Sequence, residues 1–228
     1  MRVITSIGEQ GLELSDGRQA VLRPSFYAMT QLGTPAEIVE KFVAIHSGPP
    51  LAEPMSFDTH GSKIVASSIN ERIKKRHWRD MLFLSWEILT ACSDDDLTPF
   101  IGSPGSRYGS YRLGPMPPEA MLVFARALMR HGVIGPMPKK TVEQLEAEAK
   151  EPRDRSKFTQ EFHAINYVSK AVTHLGISES EAWNMTLTGF AAHWESKYGE
   201  PKEQRHSQEH DDTMSWLKKV NELRALKK

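Results

Sequence analysis

The sequence predicts a mainly α-helical α+β protein: an N-terminal β-hairpin, a helical bundle behind it, and a small C-terminal helical unit. Three observations carry this. The turn Ser15-Asp16-Gly17 lies between the segments LEL and RQAVLR, and Asp-Gly between alternating, partly β-branched stretches marks a hairpin. From residue 34 onward, apolar residues recur at helical spacing between recognisable start and stop signals. The stretch PKKTVEQLEAEAKEPRDRSK, 138–157, has many charges and few large apolar residues, so it reads as a partly helical linker and a domain boundary. The expected layout is therefore a hairpin plus helical domain over 1–137, the linker over 138–157, a small helical domain over 158–199, and a charged amphipathic tail helix over 200–228.

The hairpin draws on residues 2–7 and 11–22. Pro24 ends its last strand and Ser25 caps the short helix FYAMTQL, which Gly33 stops. Thr34 is an N-cap followed by Pro35 at the first helical position and Glu37 two residues beyond it, a helix-start signature. Ile38, Val39, Phe42 and Ile45 then form an apolar stripe. Residues 47–57 hold three prolines and a glycine and form a loop. Two helices are expected next. One spans about 59–76, with Val65, Ile69 and Ile73 on one face. The other spans about 78–92 and is apolar nearly all round (Trp78, Met81, Leu82, Phe83, Leu84, Trp86, Ile88, Leu89), which places it, with Trp86, at the centre of the core.

Residues 93–118 are rich in Gly, Ser, Pro and Asp, with a small hairpin at SRYGSYRLG. A helix over about 117–131 carries Met121, Phe124, Ala125 and Leu128 on one face and ends at Arg130-His131, with Gly132 as C-cap. Beyond the linker, Phe162, Ile165, Val168, Val172 and Leu175 line a helix that stops at Gly176. Ser178 and Glu181 form a capping box. Thr186 or Thr188 caps the last helix of the unit, which carries Phe190 and Trp194.

The composition narrows the function. The chain has 228 residues, 39% of them hydrophobic, enough to bury a core. Twenty-nine basic residues balance 29 acidic ones, so no global charge draws it to nucleic acid or to a membrane surface. The single cysteine, Cys92, ends the apolar run MLFLSWEILTAC and reads as a small buried residue. No secretory signal is expected in MRVITSIGEQ, and no apolar run approaches the length a bilayer needs. A soluble, cytoplasmic protein is expected.

Candidate chemistry is sparse. The run Asp94-Asp95-Asp96 reads as a solvated loop at a helix end, where acids are disfavoured, which leaves room for contact with a basic partner. His206 and His210 in HSQEH have the i, i+4 spacing of a zinc pair, but the glutamate sits in the wrong place for a metalloprotease helix. Arg72, Lys74, Lys75, Arg76 and Arg79 form a basic cluster that suits a solvated helix end, an acidic protein partner or, less well, phosphates. No GxGxxG, Walker-type loop or GxSxG occurs. The expectation is a protein that is not an enzyme, with no cofactor and no metal.

Two patterns resemble a known family. The step Leu22-Arg23-Pro24-Ser25-Phe26, where a short hairpin passes into helices, is similar to that of the small tail-assembly chaperones of siphophages, encoded ahead of the tape-measure protein. The stretch with Leu175-Gly176, the capped helix from Ser178 to Trp183 and the helix from Thr186 onward resembles a helical unit of tail chaperones and gene-transfer-agent proteins. It departs at Gly189, where a glutamate is usual and would close a second capping box. ILTACSDDD at 88–96 and LMRHGVIG at 128–135 are similar to an uncharacterised phage tail family. The resemblance implies a non-catalytic chaperone in the host cytoplasm, absent from the mature virion. It would keep the tape-measure protein soluble and help recruit the major tail-tube protein. Self-association is a further expectation; nucleic-acid and membrane binding are not. The tail carries Met214, Trp216, Leu217, Val220 and Leu223 on one amphipathic segment, the candidate partner-binding arm. The competing class is a permanent virion component, such as a tail-completion or head–tail connector subunit; a small nucleic-acid binder acting through 72–79 is a third.

Overall fold

The structure, a computed structural model, describes residues 3–49, 60–107, 110–136 and 161–199, with side chains at all of these except 60–66. The fold is mainly helical with an N-terminal antiparallel hairpin. Strands β1 (Gln10–Glu13) and β2 (Gln19–Leu22) pair in the register Gln10 to Leu22. The turn closes through the Leu14 N–H to the Arg18 carbonyl (2.9 Å), and Gly17 supplies the positive φ of 84° that the turn requires. Of the expected 2–7 strand, the described residues 3–7 do not extend the hairpin: Thr5–Ile7 is a 3-10 turn, pinned where the Ile4 N–H donates to Glu9 Oε2 (2.8 Å).

Helices α1 (Phe26–Thr30) and α2 (Pro35–His46) start as their caps dictate. Ser25 Oγ accepts from the Ala28 N–H at 3.1 Å. Thr34 and Glu37 form a complete capping box, and the Thr34 N–H and hydroxyl hold the Glu37 carboxyl below its usual range.

Helix α3 runs unbroken over His60–Ala91, so the expected break near residue 77 is absent. No glycine or proline interrupts 62–91. The change in apolar pattern reflects a change in burial along one helix. Its C-terminal half buries Met81, Ser85, Ile88 and Leu89, with Cys92 just beyond, a single stripe that packs along α5 (Pro118–Met129). Residues 67–80 contain no buried side chain, and Ile69 and Trp78 are exposed.

The central-helix expectation is therefore corrected. Leu82, Phe83, Leu84 and Trp86 are only part-buried, because α3 has packing partners on one side. Trp86→Ala should cost no more than about 1–2 kcal/mol, well under a full core truncation; a loss above about 3 kcal/mol in urea unfolding would restore Trp86 to the core. Ser85 Oγ, fully buried, has no hydrogen-bond partner among the described residues. Ser85→Ala should therefore raise stability by about 0.5–1 kcal/mol, since it removes an unsatisfied hydroxyl and favours helix; a destabilised variant would contradict this.

A short helix, α4 (Thr98–Ile101), leads into the hairpin of β3 (Gly102–Pro104) and β4 (Tyr111–Leu113). The predicted hairpin thus forms, but its first strand lies before Ser106. Helix α5 continues through a π-helical stretch, Arg130–Ile134, to Gly135 at φ 82°. Gly135, not Gly132, is the cap. Gly132 is buried, and a Cβ there would lie 2.6 Å from Met29 Sδ, so its role is close packing.

After the undescribed 137–160, α6 (Ala164–Lys170) continues as a π-helical stretch to Leu175 and stops at Gly176. It buries Ala164, Val168 and Ala171, while Ile165 and Val172 stay exposed. Phe162 and Val168 of the predicted stripe are buried, but Ala164 and Ala171 take the places expected of Ile165 and Val172. Helix α7 (Glu179–Trp183) begins with the predicted Ser178–Glu181 capping box. The last helix, α8 (Leu187–Tyr198), is capped by Thr186, whose Oγ1 accepts from the Gly189 N–H at 3.0 Å.

Residues 161–191 are not a separate small domain, as the boundary at 138–157 implied. Met1–Ala191 form one compact unit, and Ala192–Lys228 fall outside it. The Phe162 N–H donates to the Pro35 carbonyl (3.0 Å), the Phe26 N–H donates to the Met185 carbonyl (2.8 Å), and Ser25 bridges Thr186 in antiparallel fashion. Thr186 also donates its hydroxyl to the Ile7 carbonyl at 2.7 Å. The linker itself lies outside the described residues. A chain cut at a protease site engineered after Ala149 should remain one species in gel filtration under native conditions and separate only in denaturant. Separation in native buffer would restore two independent units.

Candidate partner-binding surface

The residues that carry the family resemblance have structural work in this fold. Leu22 and Phe26 are fully buried. Arg23 Nε donates to Glu9 Oε1 at 2.6 Å; Glu9 is a buried carboxylate and Arg23 is half exposed. Pro24 ends the strand and Ser25 caps α1. Gly189 fits the same scheme. A Cβ there would lie 3.3 Å from Thr186 Oγ1 and 3.7 Å from Ile7 Cγ2. The usual glutamate would crowd a hydroxyl already engaged with Ile7, so the helix start is held by the N-terminal segment instead of a second capping box.

The polar candidates resolve into local structure. Asp96 accepts from the Thr98 N–H at 2.9 Å, and bonds from the Thr98 side chain and N–H hold its carboxyl below the usual range. Asp95 Oδ2 accepts from the Val21 N–H at 3.4 Å. The Cys92 thiol is buried, and burial pushes its pKa well up, away from nucleophilic use. His131 Nδ1 lies 2.9 Å from Thr188 Oγ1; burial, then the Arg130 charge, lowers its pKa. Tyr111 donates to the Ile101 carbonyl at 2.8 Å, and burial pushes its phenol up to about 12. Among the described residues no group of His, Cys, Asp or Glu could hold a metal ion, and no helix is long and apolar enough to cross a membrane. His206 and His210, and the arm residues Met214, Trp216, Leu217, Val220 and Leu223, lie outside the described residues.

The open surface lies along α3, on the side facing away from α5. Arg72, Lys75, Arg76 and Arg79 recur at i, i+3, i+4 and i+7, and Phe83, Trp86 and Thr90 continue the same helical face. Two open cavities flank this face. One, of about 860 Å³, is lined by Arg79, Phe83, Leu84, Trp86 and, from the β3–β4 loop, Arg107. The other, of about 620 Å³, is lined by Trp86, Thr90, Asp94 and Asp95 from α3 and the turn after it, with Tyr27 from α1. Trp86 and Glu87 line both, so the two adjoin along α3 and are taken together as a trough. The Phe83 ring stands edge-on to Tyr111, centroids 5.8 Å apart, which fixes one wall. Lys41 pairs with Glu87 and also donates to the Leu32 carbonyl at 2.6 Å, tying the trough floor to α2. The sequence held a signal for this surface: a helix apolar on every side, of which one stripe is buried while Phe83, Leu84 and Trp86 stay part-exposed.

No curated protein and no solved structure matches the chain. A family described as "Family of unknown function (DUF6246)" matches residues 22–212, starting at Leu22, the first residue of the hairpin-to-helix step. With most of its length matched, the chain belongs to this family of unknown function, DUF6246.

Proposed function

We propose that this protein is a phage tail-assembly chaperone, which binds the tape-measure protein, keeps it soluble and helps recruit tail-tube subunits, without catalysis. One observation supports this above others. The two stretches that resemble tail chaperones, Leu22–Phe26 and Leu175–Thr186 onward, lie far apart in sequence and build one core, through the Ser25–Thr186 bridge and the Phe26 N–H to Met185 bond. That the two stretches sit in one structural unit supports reading the likeness as a whole. The exposed apolar and aromatic side chains along α3 suit the task. A tape-measure helix has an apolar face with nothing to bury it against before the tube exists, and an open groove with an apolar centre at Phe83, Leu84 and Trp86 can cover part of such a face.

Co-expression with the tape-measure protein of the same genome tests this. Soluble tape-measure protein that co-purifies with this chain, from cells where it is otherwise insoluble, is the expected result. An insoluble tape-measure protein in both cultures would overturn the reading. The chain should also be missing from purified virions; its stoichiometric presence there would favour a permanent structural subunit.

A further inference from the structure

We infer that the trough along α3 is the docking site for one amphipathic partner helix whose charge is segregated: acidic at one end, apolar in the middle, basic at the other. It deepens the chaperone reading and rests on it only for the identity of the partner, a tape-measure helix.

The trough face of α3 changes character in three steps. Arg72, Lys75, Arg76 and Arg79 give a basic stretch, on a part of the helix that buries none of its described side chains. Phe83, Leu84 and Trp86 give an apolar, part-exposed centre. Asp94 and Asp95 give an exposed acidic end. From residue 72 to residue 91 the helix alone spans about 30 Å, room for a partner helix of about 20 residues. Such a partner would set its acids over the arginines, its apolar stripe on Phe83 and Trp86, and its cations over Asp94 and Asp95. The charges between are already matched within the chain, Glu87 with Lys41 and Arg23 with Glu9, and Asp80, 3.9 Å from Arg76, offsets only one of the four cations at the basic end. The two ends therefore set the sign of the surface and discriminate partners, and the centre supplies the apolar contact. The reading also gives a role to an acidic run at a helix C-terminus, where the helix dipole disfavours it.

The probe is a fluorescein-labelled synthetic helix of about 20 residues with a leucine stripe, glutamates grouped at one end and lysines at the other. Its control has the same composition with the charges interleaved. Binding to the full chain is read by fluorescence anisotropy. The grouped peptide should bind at least about ten-fold tighter than the control. Trp86→Ala and Asp94→Lys should each weaken it about ten-fold or more. Arg79→Glu with Arg107→Glu, at exposed positions, should do the same and guards against a folding defect at the acidic end. Val123→Asp, at an exposed position of α5 away from the trough, should change nothing. Equal binding of the two peptides, or trough variants that bind like wild type, would overturn the inference.

Co-expression separates it from the chaperone reading. If trough variants solubilise the tape-measure protein as well as wild type does, the trough is wrong and the chaperone stands. If wild type fails to solubilise it, yet the grouped peptide binds through the trough, the chaperone reading falls and the trough stands.

Discussion

Phe26→Ala should cost about 3–5 kcal/mol of unfolding free energy, the largest loss expected from any single truncation in this chain. Phe26 is fully buried. Its ring stacks on Tyr167 (centroids 5.5 Å apart, planes 9° apart) and stands edge-on to Phe190 at 6.2 Å. Tyr167 in turn stacks on Phe162 at 5.7 Å and meets Phe190 edge-on at 5.6 Å. Truncation therefore removes a fully buried ring from a four-ring cluster and forfeits its two ring contacts, of about 0.5–1.5 kcal/mol each, as part of that loss. The cluster joins α1 to α6 and α8, so the loss reaches both ends of the unit. Against a total stability of about 5–15 kcal/mol, the variant should melt about 10 °C lower or more. Phe26→Leu should recover part of it. A Phe26→Ala chain that unfolds within about 1 kcal/mol of wild type would show that the cluster does not hold the two ends together.

What the sequence disclosed follows from how local each interaction is. The caps at Ser25, Thr34 and Ser178 were legible because a side chain bonds a backbone N–H three residues on, and the pattern itself prescribes the contact. The Asp16-Gly17 turn was legible for the same reason. The α6 face was misjudged because large residues, Ile165 and Val172, drew the stripe, while the tightly packed side uses Ala164 and Ala171, whose small side chains allow close approach. Helix α3 was misjudged because an apolar surplus signals either a central helix or an open binding face. Only the position of α5 on one side of α3 separates the two. The single unit spanning 3–191 was hidden by the charged stretch 138–157, since composition marks a break in apolar content and says nothing of whether the flanking segments pack together. The trough combines α1, α3 and the β3–β4 loop, and no spacing rule brings those together.

The Glu9–Arg23 pair escaped sequence reading because nothing in IGEQ or LRPS announces a partner fourteen residues away, yet it should be the chain's most costly polar contact to break. Glu9 Oε1 accepts from Arg23 Nε at 2.6 Å and Oε2 accepts from the Ile4 N–H at 2.8 Å, with the carboxylate buried at 3% side-chain exposure. Arg23→Gln would leave that charge facing the hairpin with the Ile4 bond and no counter-ion. Breaking a fully buried pair costs about 3–5 kcal/mol, and the half-exposed Arg23 lets water offset some of it, so about 2–4 kcal/mol is expected. Glu9→Gln should cost less, about 1–2 kcal/mol, because no charge is left buried: the amide oxygen can still accept from Ile4, and the half-exposed guanidinium, facing the amide NH2, can turn to water. The double variant should then lose clearly less than the sum of the two, with a coupling of about 1–2 kcal/mol, because neither charge is left unpaired. Urea unfolding of the four proteins measures it. Losses that add to within about 0.3 kcal/mol would mean the two side chains act independently, and the arginine in the hairpin-to-helix step would then need another explanation.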